Sequence, residues 1–389
     1  MRGKQLKVSD FDVQETVGKG GFGRVRLCAP KAHLFNRGDA DKLKNYGLAL
    51  KLMNKTKLLQ SMGGLKGSVE SLRHEVTILA ALEHPFMINL LTIFHDEKRV
   101  MILYEFINGG ELRTLLKEEE MVLREFNALP AEERKQKEKE KKDQDDVLRR
   151  EHEANGLAYC DSTEQFFVAD IFLMFEYLHS KHVRVIYRDL KPENILIHYS
   201  GHLKLVDFGF AKVLSPEKNY KTKTNCGTLE YQAPEVLLSK PYTITADWWA
   251  IGCCIYEIYL KRGPFSRWKS EFDVHQAILS NNILWREKKM PVPAKDLAQK
   301  CLAHRPADRS GSKAMPVHKV KKHPLFQNID FRKQVKMETV APYKPPVSGV
   351  LDTSRFNKYI ESMEASESKL SKKDNRLWDE AISVMKENW

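Results

Sequence analysis

Tyr187-Arg188-Asp189-Leu190-Lys191-Pro192-Glu193-Asn194 is the stretch of this sequence that decides its fold. The carboxylate of Asp189 can accept a proton from an incoming hydroxyl group. Lys191 can steady a phosphate group, and Asn194 can bind Mg²⁺ through its side-chain carbonyl oxygen. An ordered match over this many positions rarely arises by chance, so the stretch predicts a site that handles phosphate.

Two further motifs lie downstream of this stretch. Asp207-Phe208-Gly209 supplies a second candidate ligand, because the carboxylate of Asp207 is an oxygen donor of the kind that Mg²⁺ prefers. Phosphate oxygens would complete the coordination shell of the ion. Ala233-Pro234-Glu235 follows, and it is preceded by Thr224 and Thr228.

A glycine cluster, Gly18-Lys19-Gly20-Gly21-Phe22-Gly23-Arg24-Val25, lies near the start of the chain. Glycines at these positions allow a strand–turn–strand unit to lie close over phosphates and to offer backbone N–H groups. Two alternatives remain open for the cluster taken alone, a dinucleotide-binding turn or an ordinary tight turn. The first needs a following helix, whereas residues 24–27 continue as a strand.

Lys51 ends the apolar run Leu48-Ala49-Leu50-Lys51, which predicts a strand. An ammonium group in a dry site needs an anion, and Glu75 on the next predicted helix can supply one. The helix is predicted over 69–82 from apolar residues at helical spacing. The alternative is an ordinary lysine at a strand edge with a surface glutamate.

The composition bounds the class of protein. The 389 residues carry a net charge of +12, which is compatible with nucleic acid, a membrane surface, or nucleotide and acidic partners. The 6 cysteines form no C-x-x-C pair, which predicts reduced thiols. We find no signal peptide and no apolar stretch that could span a bilayer, so the sequence predicts a soluble cytoplasmic protein, with the nucleus left open.

Three regions depart from globular patterning. Residues 36–46 resemble a loop insertion, and residues 117–163 contain a charged run without an apolar face. Such a run cannot bury a core, so it predicts a solvated helix or a disordered insertion. From residue 326 the chain is interpreted as a long C-terminal tail.

Taken together and in order, these motifs resemble those of serine/threonine protein kinases. Particular stretches are similar to the AGC group, especially its cyclic-nucleotide-dependent branch. They are Asp207-Phe208-Gly209-Phe210-Ala211-Lys212, Cys226-Gly227-Thr228, Asp247-Trp248-Trp249, Pro342-Tyr343-Lys344-Pro345 and Asp352-Thr353-Ser354-Arg355-Phe356-Asn357-Lys358-Tyr359.

The resemblance implies an α+β, bilobal protein-kinase fold over 11–325. It places a small β-rich N-lobe with one main helix at 11–107 and a larger, mostly helical C-lobe at 108–325, interrupted by the charged insertion at 117–163. An AGC-type C-terminal tail over 326–389 would wrap the small lobe, and Phe356 and Tyr359 would close over the adenine pocket.

The resemblance also implies transfer of the γ-phosphate of ATP, with Mg²⁺ as cofactor, to a protein serine or threonine. It assigns Asp189, Lys191 and Lys51 to catalysis, and Asn194 and Asp207 to the metal, all serving one nucleotide. Tyr104 stands at the gatekeeper position. The residues implied in ATP binding are Gly18, Lys19, Gly20, Gly21, Phe22, Gly23, Val25, Ala49, Lys51, Glu75, Glu105, Ile107, Glu111, Glu193, Asn194, Leu196, Asp207 and Phe356.

Substrate choice follows from four carboxylates, because an arginine forms bidentate pairs with a carboxylate. The implied substrate-binding residues are Glu111, Glu193, Glu230 and Glu257. They predict protein substrates with basic residues before the target serine or threonine. The pocket for the residue after the target departs from the family pattern, since it has Asn225, Leu229 and Gln232.

Control is implied at Thr224, which aligns with the activation-loop phosphosite. A phosphothreonine there would pair with Arg188 and Lys212. An upstream activating kinase or a regulatory subunit is therefore an expected partner. The resemblance also implies a pair between Glu235 and Arg309, and a terminal Trp389 could dock on the small lobe.

Two other classes compete with the enzyme. A pseudokinase would usually lack Lys51, Asp189 or Asp207, and all three are present. A nucleic-acid-binding protein is suggested by the charge alone, because no zinc finger, helix-turn-helix or RNP-type motif is present. We therefore expect no nucleic-acid partner and no membrane span.

Overall fold

The computed structural model describes residues 6–34, 47–61, 64–140, 142, 158–159, 162–285, 290–360 and 370–387. These residues form two compact units. Unit 1 comprises the described parts of 1–83, 87–110 and 346–389, and unit 2 comprises 84–86 and 111–345. The loop insertion predicted at 36–46 and the terminal Trp389 lie outside the described residues.

Unit 1 is built on an antiparallel sheet of five strands in the order β1-β2-β3-β5-β4. The central strand, β3, pairs along its whole length, with Lys51 opposite Val25 on one side and Ile102 on the other. Aliphatic residues dominate β3 and β5, as expected for strands in a buried sheet. The strands are β1 (Phe11–Gly20), β2 (Gly23–Pro30), β3 (Leu48–Asn54), β4 (Leu90–His95) and β5 (Arg99–Glu105).

Two helices follow β3. They are α1 (Lys55–Ser61) and α2 (Leu65–Ala80). Helix α2 is the helix predicted over 69–82, and it buries Leu72, Val76 and Leu79 at the predicted spacing. The buried apolar cluster of unit 1 contains Leu6, Phe11, Cys28, Leu48, Leu50, Leu52, Phe94, Met101 and Leu103.

Unit 2 is mostly helical and confirms, with the sheet of unit 1, the predicted α+β class. Its center is formed by two helices that are buried on nearly all sides, as their continuous apolar sequences require. The elements of unit 2 are α3 (Leu112–Ala128), β6 (Ala158–Tyr159), α4 (Thr163–Leu178), β7 (Val185–Ile186), β8 (Ile195–Ile197), β9 (Leu203–Leu205), β10 (Lys212–Val213), α5 (Pro234–Leu237), α6 (Thr245–Leu260), α7 (Glu271–Leu279), α8 (Val292–Cys301), α9 (Val317–Val320), α10 (Phe331–Val335) and β11 (Thr339–Val340). Here α4 and α6 are the central pair.

Three short sheets and several 3-10 turns connect these helices. Strands β7 and β10, and strands β8 and β9, pair antiparallel, whereas β6 and β11 pair parallel. The loop with Asp189 and Asn194 lies between β7 and β8, and Asp207 follows β9. The short strands therefore bring the predicted phosphate-handling residues to consecutive turns of unit 2.

The charged run begins inside a helix. Helix α3 starts at Leu112 and continues to Ala128, and residues 131–140 are again helical and almost entirely exposed. The two predicted alternatives were a solvated helix and a disordered insertion. Residues 117–128 and 131–140 form solvated helix. Residues 143–157 lie outside the described part of the chain.

The end of the chain belongs to unit 1. The side chain of Asn108 donates a hydrogen bond to the carbonyl of Gly349 at 2.9 Å, and the rings of Phe106 and Phe356 lie 5.5 Å apart. A final helix, α11 (Lys372–Glu387), packs on α2 and β4. The sequence interpretation had no helix here.

Helix α11 buries Trp378, Ile382 and Met385, which recur at the spacing of one helix face. Lys55 lies beneath it, 5.5 Å from the center of the Trp378 ring, and donates to the side chain of Asn375 at 2.7 Å. Burial lowers the pKa of Lys55 to about 8, although nearby carboxylates oppose the shift. The helix is thus fixed to unit 1 by both apolar and polar contacts.

Candidate active site

The loop with Asp189 is held from below by a buried carboxylate, Asp247 of α6. Asp247 accepts hydrogen bonds from the backbone N–H groups of Tyr187 and Arg188 at 2.9 and 2.8 Å, and it lies 2.8 Å from the ring of His179. These contacts hold Arg188 at φ 73, a conformation that residues other than glycine rarely adopt. Asp189 therefore follows a strained backbone turn that Asp247 of α6 holds in place.

Asp189 is buried and its carboxylate has several donors. Thr228 donates through its backbone N–H at 3.0 Å and through its hydroxyl at 2.8 Å. The amide of Asn194 donates at 2.9 Å, and the ammonium of Lys191 lies 3.0 Å away. Lys191 also donates to the hydroxyl of Thr228 at 2.8 Å. Four residues that the sequence motifs singled out therefore form one hydrogen-bonded cluster within unit 2.

Asp207 lies on the turn after β9, at φ 57, with an exposed carboxylate that accepts a long hydrogen bond of 3.3 Å from Gly209 N. Tyr187 connects this turn to the loop, because its hydroxyl donates a hydrogen bond to the carbonyl of Val206 at 2.5 Å. Burial raises the pKa of the Tyr187 phenol, and the charges of Asp207 and Asp189 raise it further. Carboxylate and amide oxygens of Asp207 and Asn194 fit the donor preference of Mg²⁺.

Unit 1 contains the predicted lysine and its partner. The ammonium of Lys51 lies 2.9 Å from Oε1 of Glu75, which is buried on α2. The hydroxyl of Tyr104 donates to the same oxygen at 3.2 Å. Sequence reasoning assigned Tyr104 only to the wall of the adenine pocket, whereas its hydroxyl orients the carboxylate that holds Lys51.

The glycine cluster forms the end of a hairpin. Gly20 of β1 pairs with Gly23 of β2, and the turn between them contains Gly21 and Phe22. A side chain at Gly23 would collide with the carbonyl oxygen of Leu52, so glycine is required there. From Gly23 the chain continues as strand β2, which excludes the dinucleotide-binding turn because that turn needs a following helix.

The residues implied in adenine binding lie in both units. In unit 1, Val25 and Ala49 are on neighboring strands, Glu105 ends β5, and Ile107 is buried. The carboxylate of Glu105 accepts from the N–H of Asn89 at 2.8 Å. In unit 2, Leu196 of β8 bridges to the backbone of Glu111.

The four carboxylates implied in substrate binding do not share one environment. Burial raises the pKa of Glu111, and the charge of nearby Glu193 raises it further. Glu230 is exposed on a 3-10 turn. Glu257 is buried on α6, and its ion-pair partner is Arg113 of α3. Sequence reasoning missed Arg113, which no motif marks.

Thr224 is exposed, and its carbonyl accepts from the hydroxyl of Tyr242 at 2.6 Å. Arg188 donates through Nε to the carbonyl of Phe210 at 2.6 Å, and its buried Nη1 atom has no hydrogen-bond partner within the described ranges. Lys212 lies 3.3 Å from the hydroxyl of Thr222. Burial lowers the pKa of Lys212, and the charge of Arg188 lowers it further. The charges of Arg188 and Lys212 are therefore close enough to repel each other.

Two other expectations have a structural counterpart in unit 2. Arg309 is fully buried and forms the implied pair with Glu235, at 2.7 and 3.1 Å. Near Thr224, the side chain of Gln232 donates to Asn225 at 3.0 Å, so the family-atypical residues form an amide pair.

Among the described residues, no helix has both the length and the apolarity needed to cross a membrane.

The chain is similar to known proteins over most of its length. A family model described as "Protein kinase domain" matches residues 11–326. The chain is 32% identical over 358 residues to cAMP-dependent protein kinase catalytic subunit 3 of Drosophila melanogaster, which covers 92% of this chain and 51% of the fly protein.

Two further relatives are similar over most of their own length. The chain is 33% identical over 362 residues to cAMP-dependent protein kinase type 3 of Saccharomyces cerevisiae, covering 92% of this chain and 75% of the yeast protein. It is 33% identical over 355 residues to the human cAMP-dependent protein kinase catalytic subunit PRKX, covering 91% and 82%. The chain thus spans about half of the fly relative and most of the other two.

Proposed function

This chain belongs to the protein kinase family and resembles AGC kinases of the cAMP-dependent type, and on that basis we propose that it transfers the γ-phosphate of Mg-ATP to serine or threonine hydroxyls of proteins with upstream arginines. The observation that carries the proposal is the cluster around Asp189. A buried carboxylate with fixed hydrogen bonds to Thr228 and Asn194, next to Lys191, is suited to receive a proton at a defined position.

In the proposed reaction, the substrate hydroxyl oxygen forms a bond to the γ-phosphorus while the bond from that phosphorus to the ADP oxygen breaks. The hydroxyl proton passes to Asp189, and Lys191 stabilizes charge on the transferred group. Lys51, held by Glu75, binds ATP phosphates. When bound, Mg²⁺ neutralizes phosphate oxygens, and Asn194 and Asp207 are its proposed protein ligands.

We also propose that phosphorylation of Thr224 activates the enzyme. Support comes from the exposed position of Thr224, which an upstream kinase can reach, and from Nη1 of Arg188, for which the described residues provide no hydrogen-bond partner. A phosphothreonine adds charge and acceptor oxygens that Arg188 and Lys212 can bind. Since Arg188 precedes Asp189, this pairing would stabilize the catalytic loop.

The test is phosphate transfer from ATP to a peptide containing Arg-Arg-x-Ser, with the same peptide lacking the serine hydroxyl as a blank. We expect activity from the wild type phosphorylated at Thr224. Asp189→Asn should reduce kcat by about 10²–10⁴-fold, because general-base catalysis is lost while the oxygen that accepts from Thr228 is retained. Equal activity of the two proteins, or no transfer by the phosphorylated wild type, would contradict the proposal.

A further inference from the structure

Arg113, near the start of α3, lies among carboxylates of unit 2. Its Nη1 atom forms an ion pair with Oε1 of Glu257, and its Nε atom lies 3.6 Å from Oε1 of Glu193. The hydroxyl of Tyr231 donates to the other oxygen of Glu257 at 2.6 Å. Oε2 of Glu257 therefore has a hydrogen-bond partner inside the chain, whereas Oε1 makes no hydrogen bond among the described residues and is compensated by the charge of Arg113.

The two members of this pair differ in their access to water. The side chain of Glu257 is 0% exposed, whereas that of Arg113 is 29% exposed. A buried carboxylate without a partner is strongly unfavorable, and a guanidinium is the side chain that best satisfies it. Arg113 is thus the internal counter-ion that makes a charged Glu257 tolerable at this depth.

We propose that Arg113 is a specificity-determining residue, which occupies from within the chain the position that a substrate arginine would otherwise fill at Glu257. The proposal rests on the proposed basophilic function and narrows its substrate class. Glu257 then makes no contribution to reading the substrate, and the arginine requirement is left to the other three carboxylates, of which Glu111 and Glu193 lie close together. Suitable substrates carry fewer obligatory arginines than the four carboxylates alone would predict.

Glu111 and Glu193 keep the properties of a cation-binding site. The Oε2 atom of Glu193 is buried and has no hydrogen-bond partner in the part of the chain that is described. Burial raises the pKa of Glu111, and the charge of nearby Glu193 raises it further. Arg113 reaches Glu193 only at 3.6 Å, so a substrate guanidinium still finds an open acceptor there.

Glu257→Gln is the informative variant, because Arg113 can turn toward water after the charge is removed. The assay uses saturating ATP and a peptide series in which one arginine is moved through the upstream positions. For Glu257→Gln, kcat/KM should stay within about twofold of the wild-type value at every position. Glu193→Gln should lose about tenfold or more in kcat/KM at one position, as expected for a charge-assisted pair. Arg124→Gln is the matched control on the same helix, since its side chain is 72% exposed.

A second measurement does not depend on activity. The melting temperatures of Arg113→Gln, Glu257→Gln and the double variant form a cycle, and we expect a smaller shift for the double variant than the sum of the single shifts. If Arg113→Gln folds, its peptide profile should gain one additional arginine-selective position.

Loss of arginine selectivity at one position in Glu257→Gln would overturn the proposal, and so would additive shifts in the melting cycle. A wild type that phosphorylates peptides without any arginine preference would instead contradict the basophilic function, and the melting cycle would still decide whether Arg113 holds Glu257. The two failures are therefore distinguishable.

Discussion

Replacing Trp378 by alanine tests the docking of helix α11 on unit 1. Trp378 is 0% exposed and packs with Ile382 and Met385 against α2 and β4. Its indole ring also lies 5.5 Å from the ammonium of Lys55. The substitution removes the largest side chain of this interface while alanine preserves the helix.

The expected loss is dominated by the cavity. A buried tryptophan replaced by alanine costs about 3–5 kcal/mol in the free energy of unfolding. Loss of the cation–π contact adds roughly 0.5–2 kcal/mol, because the ammonium is largely removed from water. Lys55 keeps its hydrogen bonds to His95, Asp96 and Asn375. We expect a net loss of about 3.5–7 kcal/mol, a large part of the stability of an ordinary domain.

Urea unfolding of the wild type and the variant would measure this loss, and hydrogen exchange would locate it. Amides of α2 and β4 should exchange faster in Trp378→Ala, whereas those of α4 and α6 should not. Leu377→Ala is the control, because Leu377 precedes Trp378 on the same helix and is 41% exposed. Its expected effect is within about 0.5 kcal/mol. Equal unfolding free energies for the two variants would refute the docking of α11.

Three further outcomes are expected. Thr224→Ala should lower kcat about tenfold or more relative to the phosphorylated wild type, because Arg188 loses its anion, and an unchanged kcat would contradict the regulatory proposal. The KM for an arginine peptide should rise on going from neutral to mildly acidic pH, since the raised pKa of Glu111 makes it accept a proton earlier than an ordinary glutamate; a citrulline peptide should show no such rise. Glu235→Gln should lower the free energy of unfolding by about 3–5 kcal/mol because Arg309 is left buried without its counter-charge, and calorimetry showing no change in melting temperature would count against this.

Much of the fold followed from local patterns. The strand with Lys51 and the helix with Glu75 were predicted from apolar runs and helical spacing, and the structure has both. Local motifs also predicted Asp189, Lys191 and Asn194 as neighbors, since they lie on one short loop. The proposed roles of these residues toward ATP and metal stay predictions that activity measurements must test.

Contacts between distant parts of the chain could not be predicted in this way. Arg113 and Glu257 lie on different helices, and neither the spacing nor the residue type of Arg113 indicates its partner. Asp247 was recognized as part of a motif, but its hydrogen bonds to the Asp189 loop depend on how α6 packs. Such pairs are determined by tertiary packing, which a linear pattern does not encode.

Helix α11 was missed although the sequence contains its signals. Ser371 precedes the helix and its hydroxyl accepts from the N–H of Asp374 at 3.1 Å, as an N-cap does. Trp378, Ile382 and Met385 then repeat at helical spacing. By resemblance, the tail was expected to wrap the small lobe, and no helix was assigned to it. The Trp389 hypothesis concerned a residue outside the described ranges.

The late position of α11 in the chain has a consequence for biosynthesis. The sheet of unit 1 is translated before most of unit 2, yet part of its cover is encoded after residue 346. At roughly 5–20 residues per second, the intervening chain takes on the order of 10–50 s to be translated. During that interval the surfaces of α2 and β4 that later contact Trp378 lack their cover, which makes the nascent N-terminal segment a candidate client for chaperones.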